Sequence, residues 1–107
     1  MAGLPKRFDR FLKDYPEIAT SYENMGDAIH RLGPLNDKER ALVKIALAIG
    51  LNMEGAVHAQ VRKGIKAGLS KKEIRHIVLL AIPTIGFPPA MAAMSWVDDI
   101  LDKKKGK

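Results

Sequence analysis

The sequence predicts an all-α protein, a bundle of about six helices. Three observations point that way. Apolar residues recur at steps of three and four, as in Ile18, Tyr22, Met25 and Ile29. Two capping boxes, Asn36-x-x-Glu39 and Ser70-x-x-Glu73, each open an apolar run. No stretch alternates apolar and polar residues as a half-buried strand does, and no repeat or long linker divides the chain.

Each element has its own local reason. Met1 to Leu4 is expected to be ragged. Phe8, Phe11 and Leu12 share a face, so Lys6 to Asp14 reads as a short amphipathic helix. Pro16 suits the first position of a second helix, with Glu17 favourable beside it, and Gly33-Pro34 stops that helix after about Arg31. The Asn36 cap begins a third, in which Lys44 is the one charge between Ala41 and Ile49. A helix apolar on nearly every side expects cover on nearly every side. Gly50-Leu51-Asn52 breaks it. The fourth helix runs from about Met53 to Ala67 and ends at Gly68, a left-handed terminator. The Ser70 cap starts the fifth, whose inner face is Ile74, Ile77, Val78 and Ala81. Pro83 is expected to bend or end it, since proline has no N–H and crowds the preceding turn. The sixth starts near Pro89 and carries Ala90, Ala93, Trp96, Val97, Ile100 and Leu101.

At 107 residues and 47% hydrophobic the chain has the size and composition of a single domain, read as 1–107 with its core over 35–101 and a frayed basic tail at 103–107. It contains no cysteine, which excludes disulfides, thiolate nucleophiles and cysteine-rich zinc sites. The longest nearly apolar stretch, Ile77 to Ile85, is too short to span a bilayer, and no signal-peptide pattern opens the sequence, so a cytoplasmic protein is expected. The net charge of +6 would suit a nucleic-acid partner. Setting aside the four lysines of the terminal KKKGK leaves 14 basic against 12 acidic residues, a nearly balanced body that argues against a nucleic-acid face.

The chemistry-bearing residues are Glu54 and His58. A spacing of four puts a carboxylate and an imidazole on one helix face, beside the apolar positions Val57, Val61 and Ile65. Such a pair can move protons at neutral pH, and it can equally be an ordinary helix-surface interaction. His30 lies at a helix end, where a cation complements the dipole. His76 lies among charged residues. The three histidines lack HxH or HExxH spacing, so no metal site is expected, and no phosphate-cradling or nucleophile-elbow motif is present. Tyr15, Tyr22 and Trp96 read as core or edge aromatics.

The run ERALVKIALAIGLNMEGAVHAQVRKGIKAGLSKKEIRHIVLLAIPTIGFPPAMAA resembles the carboxymuconolactone decarboxylase family, whose all-helical fold is shared with alkyl hydroperoxidase D. The resemblance covers Leu35 to Leu101 and rests on Glu54-x-x-x-His58, on Ala67-Gly68-x-Ser70-x-x-Glu73-Ile74 and on Gly86-x-Pro88. In the hydroperoxidase branch a CxxC pair precedes the histidine, with a glutamate one helix upstream. His58 matches that histidine and Glu39 that glutamate, while the cysteine positions fall on Leu51 and Glu54, so thiol peroxidase chemistry is ruled out. The decarboxylase branch carries Glu-x-x-x-His, as here. The resemblance therefore implies cofactor-free decarboxylation of a small lactone or keto acid. Glu54 or His58 would shuttle the proton, Glu39 would orient or relay, and the three would converge on one pocket. Arg62, one turn beyond His58, and Arg40 are the candidates to hold a substrate carboxylate. The tyrosine that often precedes the glycine of the family's G-x-P motif is Ile85 in this chain. The family also implies a homo-oligomer, a trimer or hexamer, which suits the all-round apolar third helix. A non-catalytic helical oligomer is the alternative, and a nucleic-acid-binding role through Lys103–Lys107 is a third reading.

Overall fold

The computed structural model describes residues 6–103. The expected ragged start at Met1–Leu4 and the lysines beyond Lys103 lie outside them. Six helices occur in order among the described residues: α1 (Lys6–Asp14), α2 (Pro16–Leu32), α3 (Asp37–Leu51), α4 (Glu54–Lys66), α5 (Lys71–Ile85) and α6 (Phe87–Leu101). None is long and apolar enough to cross a membrane. The chain divides into two compact units, Met1–Pro34 and Leu35–Lys107.

In the first unit the Tyr15 N–H reaches the Phe11 carbonyl at 2.8 Å, and their rings sit 5.2 Å apart, tying the end of α1 to the start of α2. Pro16 occupies the first turn of α2, where no intrahelical N–H is required. The stripe of Ile18, Tyr22, Met25 and Ile29 is exposed, so Tyr15 and Tyr22 are surface aromatics and not core ones. Gly33, at φ +60, ends α2 where the sequence placed the stop.

In the second unit α3 packs on α4 and α5, and α6 packs on the same two helices, closing a ring of four. Its centre is Ile45, Ala48 and Ile49 of α3, Val57 and Val61 of α4, Leu69 of the α4–α5 loop, Ile74 and Val78 of α5, and Ala90, Ala93, Val97 and Leu101 of α6. Trp96 packs half-buried against this cluster. Both capping boxes form. Asn36 Oδ1 accepts the Glu39 N–H at 2.9 Å while Glu39 Oε1 accepts the Asn36 N–H at 2.9 Å. Ser70 and Glu73 repeat the exchange at 3.0 and 2.8 Å. Asn52 closes α3 in the left-handed region, at φ 57 and ψ 41, a conformation Asn tolerates better than other side chains. The short Asn52–Met53 turn folds α4 back along α3.

Of the two outcomes expected at Pro83, a bend or an end, the end does not occur: α5 continues to Ile85. The carbonyl that loses its partner belongs to exposed Leu79, where water can satisfy it, and Thr84 Oγ1 donates to the neighbouring Leu80 carbonyl at 2.7 Å. Helix α6 starts at Phe87 and not near Pro89, because prolines in a first turn forfeit no intrahelical bond. The apolar helix α3 is also less covered than its composition suggests. Ile45, Ala48 and Ile49 are buried, while Val43, Leu47 and Leu51 stay 45, 64 and 66% exposed.

Gly64 sets how closely α4 approaches its neighbours. A Cβ there would lie 2.9 Å from Ile45 Cδ1 and 3.1 Å from Leu69 Cδ1. Gly64→Val is therefore expected to destabilise the protein by about 1–3 kcal/mol through overpacking. Gly50→Ala, with nothing within 4 Å of the added Cβ, should gain up to about 1 kcal/mol in helix propensity. Urea unfolding midpoints of the two variants test this, and equal shifts would refute it.

Glu73 supplies a pH dependence. Its hydrogen bonds from the Ser70 backbone N–H and from the Ser70 side chain hold its carboxyl below the ordinary carboxylate range, and Lys38 adds to the effect. A depressed folded-state value means that this stabilisation is present above the ordinary carboxylate range and is lost as pH falls through the lowered one. Glu73→Gln should flatten the acid limb of the stability profile, read as unfolding midpoint against pH. Ser70→Ala should lower stability by about 1 kcal/mol at neutral pH.

Candidate functional site

Helix α4 carries the site because of how its faces are used. Val57, Val61 and Gly64 point into the core. His58, next to Val57, consequently lies at the rim of that face, half-buried, with its side chain 20% exposed. Glu54 is the first residue of α4, where a carboxylate complements the positive end of the helix dipole, and it is exposed. One turn separates the two side chains, as the spacing requires.

The third member comes from α6. His58 Nε2 lies 3.0 Å from Asp99 Oδ2. Glu54, His58 and Asp99 each offer one donor atom within 4.8 Å of the others'. An ionised carboxylate only accepts hydrogen bonds, so in this contact Nε2 carries the proton. In the neutral ring Nδ1 then holds the lone pair. Asp99 thus fixes both the orientation and the tautomer of the imidazole, as the buried carboxylate does in a hydrolase triad.

Asp99 sits between two residues fixed by a different ion-pair system. Arg75 of α5 donates from Nε to Asp98 Oδ1 at 3.1 Å and from Nη2 to Asp102 Oδ1 at 2.8 Å. Asp102 first, and then Asp98, hold the Arg75 guanidinium in its charged form, above its ordinary range. These bonds tie the last turn of α6 to α5.

The other expected site residues fall elsewhere. Glu39 does not join Glu54 and His58. It lies twelve residues before Leu51, about 18 Å along the axis of α3. The α3–α4 hairpin puts that end opposite to Glu54, and the Glu39 carboxylate accepts the Asn36 N–H. Arg40 is beside it, donating to the Leu35 carbonyl at 2.9 Å and to Asp37. Its guanidinium therefore serves the start of α3. Arg62 is on α4 one turn past His58, half-buried, with no ion-pair partner among the described residues. Lys44 is half-buried on α3, and burial, followed by the nearby cations Lys63 and Arg40, lowers its pKa. His76 is exposed and His30 lies in the last turn of α2, as their positions suggested.

Sequence reasoning missed Asp99. The available signal was the Asp98-Asp99 pair, two adjacent acids between the core positions Val97 and Leu101. The tautomer assignment is testable by ¹⁵N NMR of the imidazole. The neutral ring of His58 is expected to be protonated at Nε2, and Asp99→Ala should release it to a mixture of tautomers. An Nδ1–H signal in the unaltered protein would refute the contact.

A sequence profile of the carboxymuconolactone decarboxylase family matches residues 16–99. No curated protein and no solved structure gives a significant match.

Proposed function

The chain belongs to the carboxymuconolactone decarboxylase family, and from that premise we propose that it decarboxylates a small lactone or keto acid by proton transfer at Glu54, His58 and Asp99. The observation that carries this reading is the convergence of the three side chains, two from one turn of α4 and one from α6. Loss of CO₂ leaves an electron pair on carbon, delocalised into the carbonyl as an enolate in a β-keto acid, or through the conjugated C=C as a dienolate in an unsaturated γ-carboxy lactone. That carbon then needs one proton. His58, oriented by Asp99 through its Nε2–H, first takes a proton at Nδ1 from solvent or from Glu54 one turn away, and as the imidazolium is the group placed to deliver that proton to the carbon. Arg62, uncommitted and on the same helix, is the contact proposed for a substrate carboxylate. Glu39 and Arg40 have no part in this mechanism. A chain without cysteine has no thiol to reduce a peroxide, so peroxidase activity is not expected.

We also propose that the working form is a homo-oligomer, a trimer or hexamer. The support is the outer face of α3, where Val43, Leu47 and Leu51 recur every four residues and remain exposed. Covering that face would stabilise the assembly by about 25 cal/mol per Å² of apolar surface removed from water. The face ends three residues before Glu54, so a second copy seated on it would lie beside the site.

The test is CO₂ release from small γ-carboxy lactones and β-keto acids. Where turnover is found, His58→Ala should lower it by about 10²–10⁴-fold, as for a general acid, without loss of helicity. Asp99→Asn should lower it less, because that variant misorients the ring but keeps it. Full turnover in His58→Ala would defeat the mechanism. No turnover across the panel would favour a helical oligomer that kept the fold without the chemistry.

A further inference from the structure

The same three side chains have a property that proton transfer does not require. Their donor atoms are an imidazole nitrogen and two carboxylate oxygens drawn from two helices, all within 4.8 Å of one another. A pair of exposed carboxylates alone would mean little. An imidazole held at the rim of the core between them is a different donor set, because nitrogen adds affinity for transition metals that oxygen clusters lack. We propose that Glu54, His58 and Asp99 form a binding site for a divalent transition-metal ion of the Zn²⁺ class.

The geometry suits such an ion. Ligands at about 2.0–2.2 Å around a tetrahedral centre stand about 3.3–3.5 Å apart. The pair His58 Nε2 and Asp99 Oδ2 is already at 3.0 Å. Glu54 is exposed and one turn from His58 on the same helix, so rotation of its side chain brings its oxygen in without moving the backbone. The ends of the two ligand-bearing helices are held independently of the ion, α4 by its packing through Val57 and Val61 and α6 by Arg75. Three protein donors leave at least one coordination position open to water or to a ligand, as in catalytic zinc sites and unlike closed structural ones.

Metal binding and the proposed proton transfer use one imidazole. An ion binds Nε2 only when that nitrogen carries no proton, so the hydrogen bond it donates to Asp99 is given up and the single proton of the neutral ring stands on Nδ1 instead. The metal-loaded and proton-moving states are therefore alternatives. Metal affinity can be measured without any substrate, so this inference stands or falls separately from the decarboxylase reading.

The experiment is calorimetric titration of Zn²⁺ into the full chain, freed of metal by chelation, at neutral pH in a non-coordinating buffer. One saturable site per chain is expected, with Mg²⁺ giving no comparable heat. Asp99→Asn and Glu54→Gln preserve shape and change only the ligand set, replacing a carboxylate with a neutral amide, and each should weaken Zn²⁺ by about tenfold or more. His76→Ala, which removes an exposed histidine outside the cluster, should leave the affinity unchanged. Circular dichroism of each variant separates loss of ligand from loss of fold. Absence of saturable binding overturns the proposal, and so does affinity that survives both carboxylate changes or disappears with His76.

Discussion

The packing of α4 against two partners is the constraint on which the rest of this structure depends. Val57 and Val61 have no exposed surface, and Gly64 lets Ile45 and Leu69 come within contact of the backbone. With those three positions committed to the interior, the rotation of α4 about its axis is fixed. His58, one position past Val57, must then emerge at the edge of the α4–α6 contact, and Glu54 must emerge one turn above it. The site is therefore a consequence of core packing. The buried valines of α4 hold the histidine backbone in place.

Electrostatics completes the arrangement from the other side. Helix α6 carries Asp98 and Asp99 in its last turn and Asp102 at its end, with no basic residue in that turn. Acids at a helix C-terminus oppose the macrodipole, so an isolated α6 would be weakened by all three. The bundle offsets this with groups from other helices. Arg75 of α5 bridges Asp98 and Asp102, and His58 of α4 meets Asp99. The acidic end of α6 makes sense only in the folded unit, where it selects the neighbours against which it can sit. One consequence is that the imidazole serves the fold, since it donates from α4 to a carboxylate of α6.

Much of the fold was legible because its signals are local. The caps at Asn36 and Ser70 act over three residues, and Gly33 and Gly68 adopt the positive φ that helix ends favour. Pro83 left a bend and an end both open, because a proline's cost depends on whether the orphaned carbonyl can reach water, which the surroundings of Leu79 decide. Two of the three site residues were legible for the same reason. Glu54 and His58 are neighbours through helix geometry alone, whereas Asp99 is forty-one residues from His58 and meets it only through the α4–α6 contact. The placement of Glu39 is more instructive, since the capping box that engages its carboxylate was itself readable. A carboxylate that closes the first turn of α3 cannot also act at the far end of that helix, and the length of α3 alone sets the separation.

The outer face of α3 connects the remaining apolar surface to the chemistry. Val43, Leu47 and Leu51 form a row leading to the turn from which Glu54 begins α4. While that row is wet, Glu54 is a solvated carboxylate and a substrate at His58 is open to water on that side. Under the oligomer reading, the surface that covers the row also walls the site. It would lower the local dielectric around Glu54 and His58 and strengthen every charge interaction there. Association and chemistry would then be coupled through one helix, whose inner side builds the core and whose outer side encloses the reacting groups. That reading would account for a helix with a single charge between Ala41 and Ile49, since one buried side would not have required it.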